Sequence, residues 1–196
     1  MQHSLADYGG VSLQGSTVHI EFMRDKSRVM PQIEKPEEVI SMTVWHCNFE
    51  SLNQISNCVN LEQLSIATLP EDDFDFLEKC SKLKLLSIVH LPDISSLETF
   101  PILRQLETIS LETLPSWDSS GKKTIIDSLC PLSMLPNLKY LELFGVVPKD
   151  LSLESLSLFS DLKSARFSKY PKKIINAFYK HHSVSDDWAP EFKIAN

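Results

Sequence analysis

Glycine is scarce in this chain, with five in 196 residues, too few for a glycine-rich phosphate cradle to organise it. No stretch approaches 18 consecutive apolar residues, so no membrane span is expected. Residues Met1–Asp7 have neither a basic segment nor an apolar one behind it, so no signal peptide is expected. G-x-S-x-G, G-x-x-x-x-G-K-[ST], H-E-x-x-H and C-x-x-C are all missing. No catalytic residue, no metal ligand and no cofactor is therefore expected. Positive charge is also short, 19 Lys+Arg against 26 Asp+Glu for a formal −7. That balance argues against nucleic acid, whose phosphates need a basic surface. Cysteine is limited to Cys47, Cys58, Cys80 and Cys130. Without an export signal these read as free thiols in a reducing compartment, which makes the cytoplasm the expected location.

What is present is a core-forming composition, 42% apolar and 23% charged, in a length that suits one domain. The apolar residues recur in a fixed pattern, L-x-x-L-x-L-x-x-L. Leu61, Leu64, Ile66 and Leu69 form one copy, and Leu83, Leu86, Ile88 and Leu91 form the next, 22 residues on. Leu106, Ile109, Leu111 and Leu114 follow after 23, then Leu138, Leu141, Leu143 and Val146 after 32. Weaker copies flank them at Val39, Met42, Val44, Cys47 and at Leu162, Ala165, Phe167, Tyr170.

A second register precedes each copy in steps of three. It reads Leu52, Ile55, Cys58; Phe74, Leu77, Cys80; Leu97, Phe100, Leu103; Leu129, Leu132, Leu135; and Leu153, Leu156, Phe159. The L-x-L step has the period of a strand with one buried face. The three-residue step suits a helical or 3-10 turn that presents one stripe inward. A single unit can bury neither stripe, so units must stack, with their strands in a parallel sheet.

The pattern resembles the leucine-rich-repeat family in its short, 22–24-residue classes, over residues 39–170. The resemblance implies an α/β solenoid with a parallel, concave β-sheet, short helices or 3-10 turns on the convex side, and terminal caps. One departure is that the last consensus position, usually Asn or Cys, complies only at Cys47, so a hydrogen-bonded asparagine ladder is not expected.

The caps are expected at residues 1–38, a β-type segment in which Val18, Ile20 and Phe22 alternate, and at 171–196, a helix plus a loosely docked tail. Pro171 opens that helix, with Ile174, Ile175, Phe178 and Tyr179 on one face. The 32-residue unit carries extra chain at 115–123, read as a polar loop bearing Trp117. Trp117 either meets a partner or folds back to seal the repeat edge.

Two further clusters have plain readings. The acidic run Glu71, Asp72, Asp73, Asp75, Glu78 lacks calcium-loop spacing and suits the start of a convex helix. His181 and His182 diverge by about 100° around a helix, which makes a solvated helix end, not a metal site.

Charge is uneven. Residues 39–162 hold 8 Lys+Arg against 17 Asp+Glu (−9), whereas 163–196 hold 7 against 3 (+4). Strand positions that face away from the core line up in columns. One reads Trp45, Ala67, Val89, Glu112, Phe144, Ser168; the next Thr43, Ser65, Ser87, Ser110, Glu142, Arg166; the third Ser41, Gln63, Leu85, Thr108, Tyr140, Ser164. His46 and His90 lie just beyond the strand ends. The expected partner-binding set is Trp45, His46, Val89, His90, Glu112, Trp117, Tyr140, Glu142, Phe144 and Arg166, because aromatic residues on an open sheet have the composition of an interface hot spot.

The resemblance implies a non-enzymatic scaffold that is a monomer when free and grips one protein partner. A bacterial immunity protein that occludes a basic toxin domain is its specific version, suited by the acidic charge. The alternative is an adaptor or substrate-receptor subunit of a larger assembly. An enzyme would need Glu112, Glu142, His90 and Arg166 to converge in a closed pocket, which an open sheet does not offer.

Overall fold

Alternating apolar residues become strands wherever one face of the alternation finds a core to cover. The computed structural model, which describes residues 11–14, 17–191 and 193, contains ten such strands among those residues. They are β1 (Val11–Gln14), β2 (Thr17–Met23), β3 (Val39–Trp45), β4 (Gln63–Ala67), β5 (Leu85–Val89), β6 (Thr108–Glu112), β7 (Thr124–Ile126), β8 (Tyr140–Phe144), β9 (Val146–Pro148) and β10 (Ser164–Phe167). Two α-helices join them, α1 (Pro115–Ser119) and α2 (Lys172–His181).

The main sheet has eight strands in the order β1-β2-β3-β4-β5-β6-β8-β10. β1 runs antiparallel to β2, and every later pairing is parallel. The structure is thus an open α/β fold with a parallel sheet and few helices. Register follows the spacing of the apolar pattern. Ser41 faces Gln63, Gln63 faces Leu85, Leu85 faces Thr108, Thr108 faces Tyr140, and Tyr140 faces Ser164. A slip of one residue would turn Leu64, Ile66, Leu86 and Ile88 out into water, so the burial of that face fixes the pairing.

The other inward stripe comes from the turns between strands. The 3-10 segments Asn53–Asn57, Asp75–Leu77, Cys130–Met134 and Glu154–Leu158 carry four of them. The same three-residue-back hydrogen bond closes each: Ile55 N to Leu52 O, Leu77 N to Phe74 O, Leu132 N to Leu129 O and Leu156 N to Leu153 O. The fifth turn repeats it, Phe100 N to Leu97 O at 2.9 Å. Residues three apart eclipse in this geometry, so each turn drives a row inward. Of the fifteen positions in the three-step register all but Phe159 are buried, and Phe159 packs partly covered against the same continuous cluster.

Side chains tie neighbouring turns together where an asparagine ladder is missing. Asn60 donates to Glu37 O at 2.7 Å and Asn137 to Arg104 O at 2.6 Å. Glu71 does not cap its own turn, as the acidic run suggests. Its carboxylate reaches back to accept from Ser51 Oγ at 3.0 Å and from Leu52 N at 2.5 Å. Lys84–Glu62 at 2.9 Å and Lys139–Glu107 at 2.7 Å bridge successive strand entries.

Both ends of the cluster are covered. Ile20 and Phe22 of β2 are buried at one end. At the other, α2 lays Ile174, Ile175, Phe178 and Tyr179 on the cluster, and Tyr179 donates to Ala165 O at 2.6 Å.

The segment read as a polar loop at 115–123 is partly helical. α1 occupies Pro115–Ser119, after which β7 pairs in parallel with β9 as a small second sheet. Proline at the first helical position and backbone capping by Ser119 and Ser120 hydroxyls onto Ser116 O and Trp117 O favour that single turn.

Candidate interaction surface

The side of the main sheet that faces away from the cluster carries the three columns of outward residues, and its properties change along it. At the β3 end, Trp45 is half-buried and His46 exposed, their rings 5.6 Å apart in an edge-on arrangement. His46 Nδ1 lies 3.1 Å from Thr68 Oγ1 of the next turn. Ala67 is fully buried and Val89 half-buried, so the middle of the column offers little relief.

A row of left-handed backbone runs along the strand ends. Arg24, His46, Thr68, His90, Gly145 and Lys169 have φ between 52° and 73°. This turn lets one more amide join the ladder: His46 N donates to Ala67 O, Thr68 N to Val89 O and His90 N to Glu112 O. It also projects His46 and His90 beyond the sheet edge.

His90 and Trp117 meet. Their rings stand edge-on with centroids 4.9 Å apart, and the Lys122 ammonium lies 5.4 Å from the centre of the indole. Trp117 is half-buried, folded back over the end of β5. Both ring nitrogens of His90 are buried with no hydrogen-bond partner among the described residues. Burial, and then the neighbouring His46, push its pKa below the usual histidine value, with Asp93 opposing. Neither nitrogen is solvated, so burial disfavours the charged form more than Asp93 supports it.

At the β8 and β10 end the face is more polar and more crowded. Glu112 accepts from Ser110 Oγ at 2.9 Å, and its carboxyl is pushed up, chiefly by burial, with Glu142 adding to the effect. Glu142 is buried at 7% exposure and accepts from Ala189 N at 3.4 Å. The Arg166 guanidinium is in register beside Glu142 but stacks on Trp188, 3.3 Å from its ring centre and 5.4 Å from that of Phe144. Tyr140 is half-buried between Thr108 and Ser164.

The expected set therefore divides in two. Trp45, His46, His90 and Trp117 follow the strand ends of β3–β5, whereas Glu112, Tyr140, Glu142, Phe144 and Arg166 share the β6–β10 face. Val89 lies between them.

The tail was expected to be loose or lightly docked. Its described part is docked, crossing the strand face: Trp188, Ala189, Pro190 and Glu191 wall a cleft of about 240 Å³ opposite Leu85, Ser87, Thr108, Ser110, Glu112 and Glu142. Trp188 thus belongs to the site although the strand columns do not contain it. Its one signal in the sequence is a tryptophan in an otherwise polar terminal segment.

Cys47, Cys58 and Cys80 are buried free thiols and Cys130 is an exposed one. Burial pushes Cys58 and Cys80 up to about 12, so they pack as apolar groups. Among the described residues no group of three or more His, Cys, Asp and Glu side chains is placed to hold a metal ion. No helix among them is long and apolar enough to cross a membrane.

The chain matches no family model, no curated protein and no solved structure.

Proposed function

We propose that this chain is a leucine-rich-repeat scaffold that binds one protein partner through the outward face of its main sheet and catalyses no reaction. The observation that carries this reading is the in-register face itself. Six parallel strands from β3 to β10 present their outward residues as straight columns, with half-buried aromatic residues Trp45 toward one end and Tyr140 and Phe144 toward the other, and small Ser65, Ala67 and Ser87 between them. A flat face with aromatic anchors supports protein recognition, because large rigid rings give contact area at low entropic cost. The 22- to 32-residue spacing of the strands and the inward three-step turns support the family assignment.

The −9 charge of residues 39–162, together with Glu112 and Glu142 in the cleft, favours a basic partner domain over an acidic one. This supports the narrower reading, a cytoplasmic immunity protein that covers a toxin. It predicts a complex with a toxin encoded beside the gene, and no complex would remove it. The adaptor reading requires two surfaces to bind at once.

The test is affinity capture from the native cell extract with the wild type and with a Tyr140→Ala/Phe144→Ala variant. The reading expects one protein captured in stoichiometric amount by the wild type and lost by the variant. Equal capture by both would move binding to the turn side or to α1.

A further inference from the structure

The β8–β10 end of the strand face already holds a peptide, the chain's own terminal segment. Ser185 N donates to Lys163 O at 2.9 Å, and Ser185 O accepts from Ala165 N at 3.0 Å, so the segment first pairs at the edge of β10. Ser164 Oγ then donates to Asp187 O at 2.5 Å. Beyond Asp187 the segment turns across the strands. Trp188 lies 3.3 Å from the Arg166 guanidinium carbon and 5.7 Å from the Phe144 ring, and Ala189 N donates to Glu142 at 3.4 Å.

Two features show how weakly this seat is filled. Trp188 leaves 66% of its surface in water although one face is stacked. Arg166 Nη1 is buried and has no hydrogen-bond partner among the described residues, so the tail shields a donor without supplying an acceptor, an arrangement that costs free energy.

We propose that Phe144, Glu142 and Arg166 form a seat for an extended, tryptophan-bearing peptide segment of the partner, and that residues 185–191 are a resident occupant which that segment displaces. The proposal rests on the reading of the strand face as a protein-recognition surface. An incoming segment with an acceptor beside its tryptophan satisfies Arg166 Nη1, for which the described residues of the tail supply no partner. That difference lets it win against a tethered competitor whose effective concentration is in the millimolar range.

The test uses the full-length chain and a fluorescein-labelled peptide of residues 183–193, read by anisotropy. For a peptide that binds with Kd of about 100 μM, a tethered rival at about 1 mM weakens apparent binding roughly tenfold. Trp188→Ala, which empties the seat, is therefore expected to bind the labelled peptide about tenfold more tightly than wild type. Ser185→Pro, which removes the edge amide and leaves Trp188 in place, is expected to shift affinity in the same direction. Arg166→Lys in the Trp188→Ala background, or a peptide with alanine for tryptophan, is expected to abolish binding.

Equal affinity for wild type and both tail variants, or no binding to any, would overturn the proposal. So would concentration-dependent dimerisation of the wild type through exchanged tails, which would assign the seat to a second copy. Peptide binding as expected alongside failed partner capture would keep the seat and reject protein recognition as the chain's function.

Discussion

Gly145 is the one glycine that the left-handed row requires. At φ +73° a built Cβ would lie 2.2 Å from Thr113 Oγ1, so a side chain meets both backbone strain and an immovable neighbour. Gly121 has nearly the same φ, +78°, but no atom within 4 Å of a built Cβ. Gly145→Ala should therefore cost about 3 kcal/mol or more, from strain plus overpacking, and Gly121→Ala only about 1 kcal/mol, from strain alone. Urea midpoints of the two variants check this, and equal losses would contradict the close approach of Thr113. The rest of the row was not legible in the sequence. Arg24, His46, Thr68 and His90 all adopt positive φ, a conformation such residues rarely choose. The strand ladder imposes it, because one extra amide bond per strand end outweighs a local preference that a reader of the sequence would have followed.

Among the elements, α1 is the one most exposed to pH, because Trp117 packs on a histidine whose nitrogens are both buried. The folded chain prefers the neutral imidazole, while the unfolded chain takes up its proton near the usual 6.5. Stability is accordingly kept above that value and lost as pH falls through it toward the lower folded pKa. The urea midpoint of the wild type should drop between about pH 7.5 and about pH 5.5. His90→Asn, which tolerates the left-handed backbone, should flatten that drop. A variant with the wild-type slope would shift the effect elsewhere. Glu112 works in the opposite sense and at lower pH: its carboxyl is raised above the usual 4.5, so its neutral form favours the fold.

The elements also show which parts of the molecule can be read from a sequence. Strands β3 to β6, β8 and β10 and the inward turns were legible because their apolar periods, two and three, are properties of a single element. α1 was read as a loop because its residues carry no apolar stripe. The docking of the tail was not legible, since Trp188 is held by Arg166 and Phe144, which lie far from it in the sequence on the neighbouring strands β8 and β10. The columns of outward residues put Glu142, Phe144 and Arg166 on neighbouring strand positions, but nothing in their spacing showed that the chain would lay its own tryptophan on them.

At the scale of the whole molecule, one apolar cluster runs from Ile20 to Phe178 without a break, and the charge separates into an acidic body and a basic end. The apolar rows of the turns lie on one side of the sheet and the strand columns on the other, where the tail crosses part of them. The most direct test is hydroxyl-radical footprinting of the captured complex against the free chain, read at individual side chains. The account predicts that Tyr140 and Phe144 lose reactivity on complex formation, while Trp188 gains it as the tail is displaced. Protection confined to the exposed turn-side residues Met134 and Leu158, with Trp188 unchanged, would contradict it.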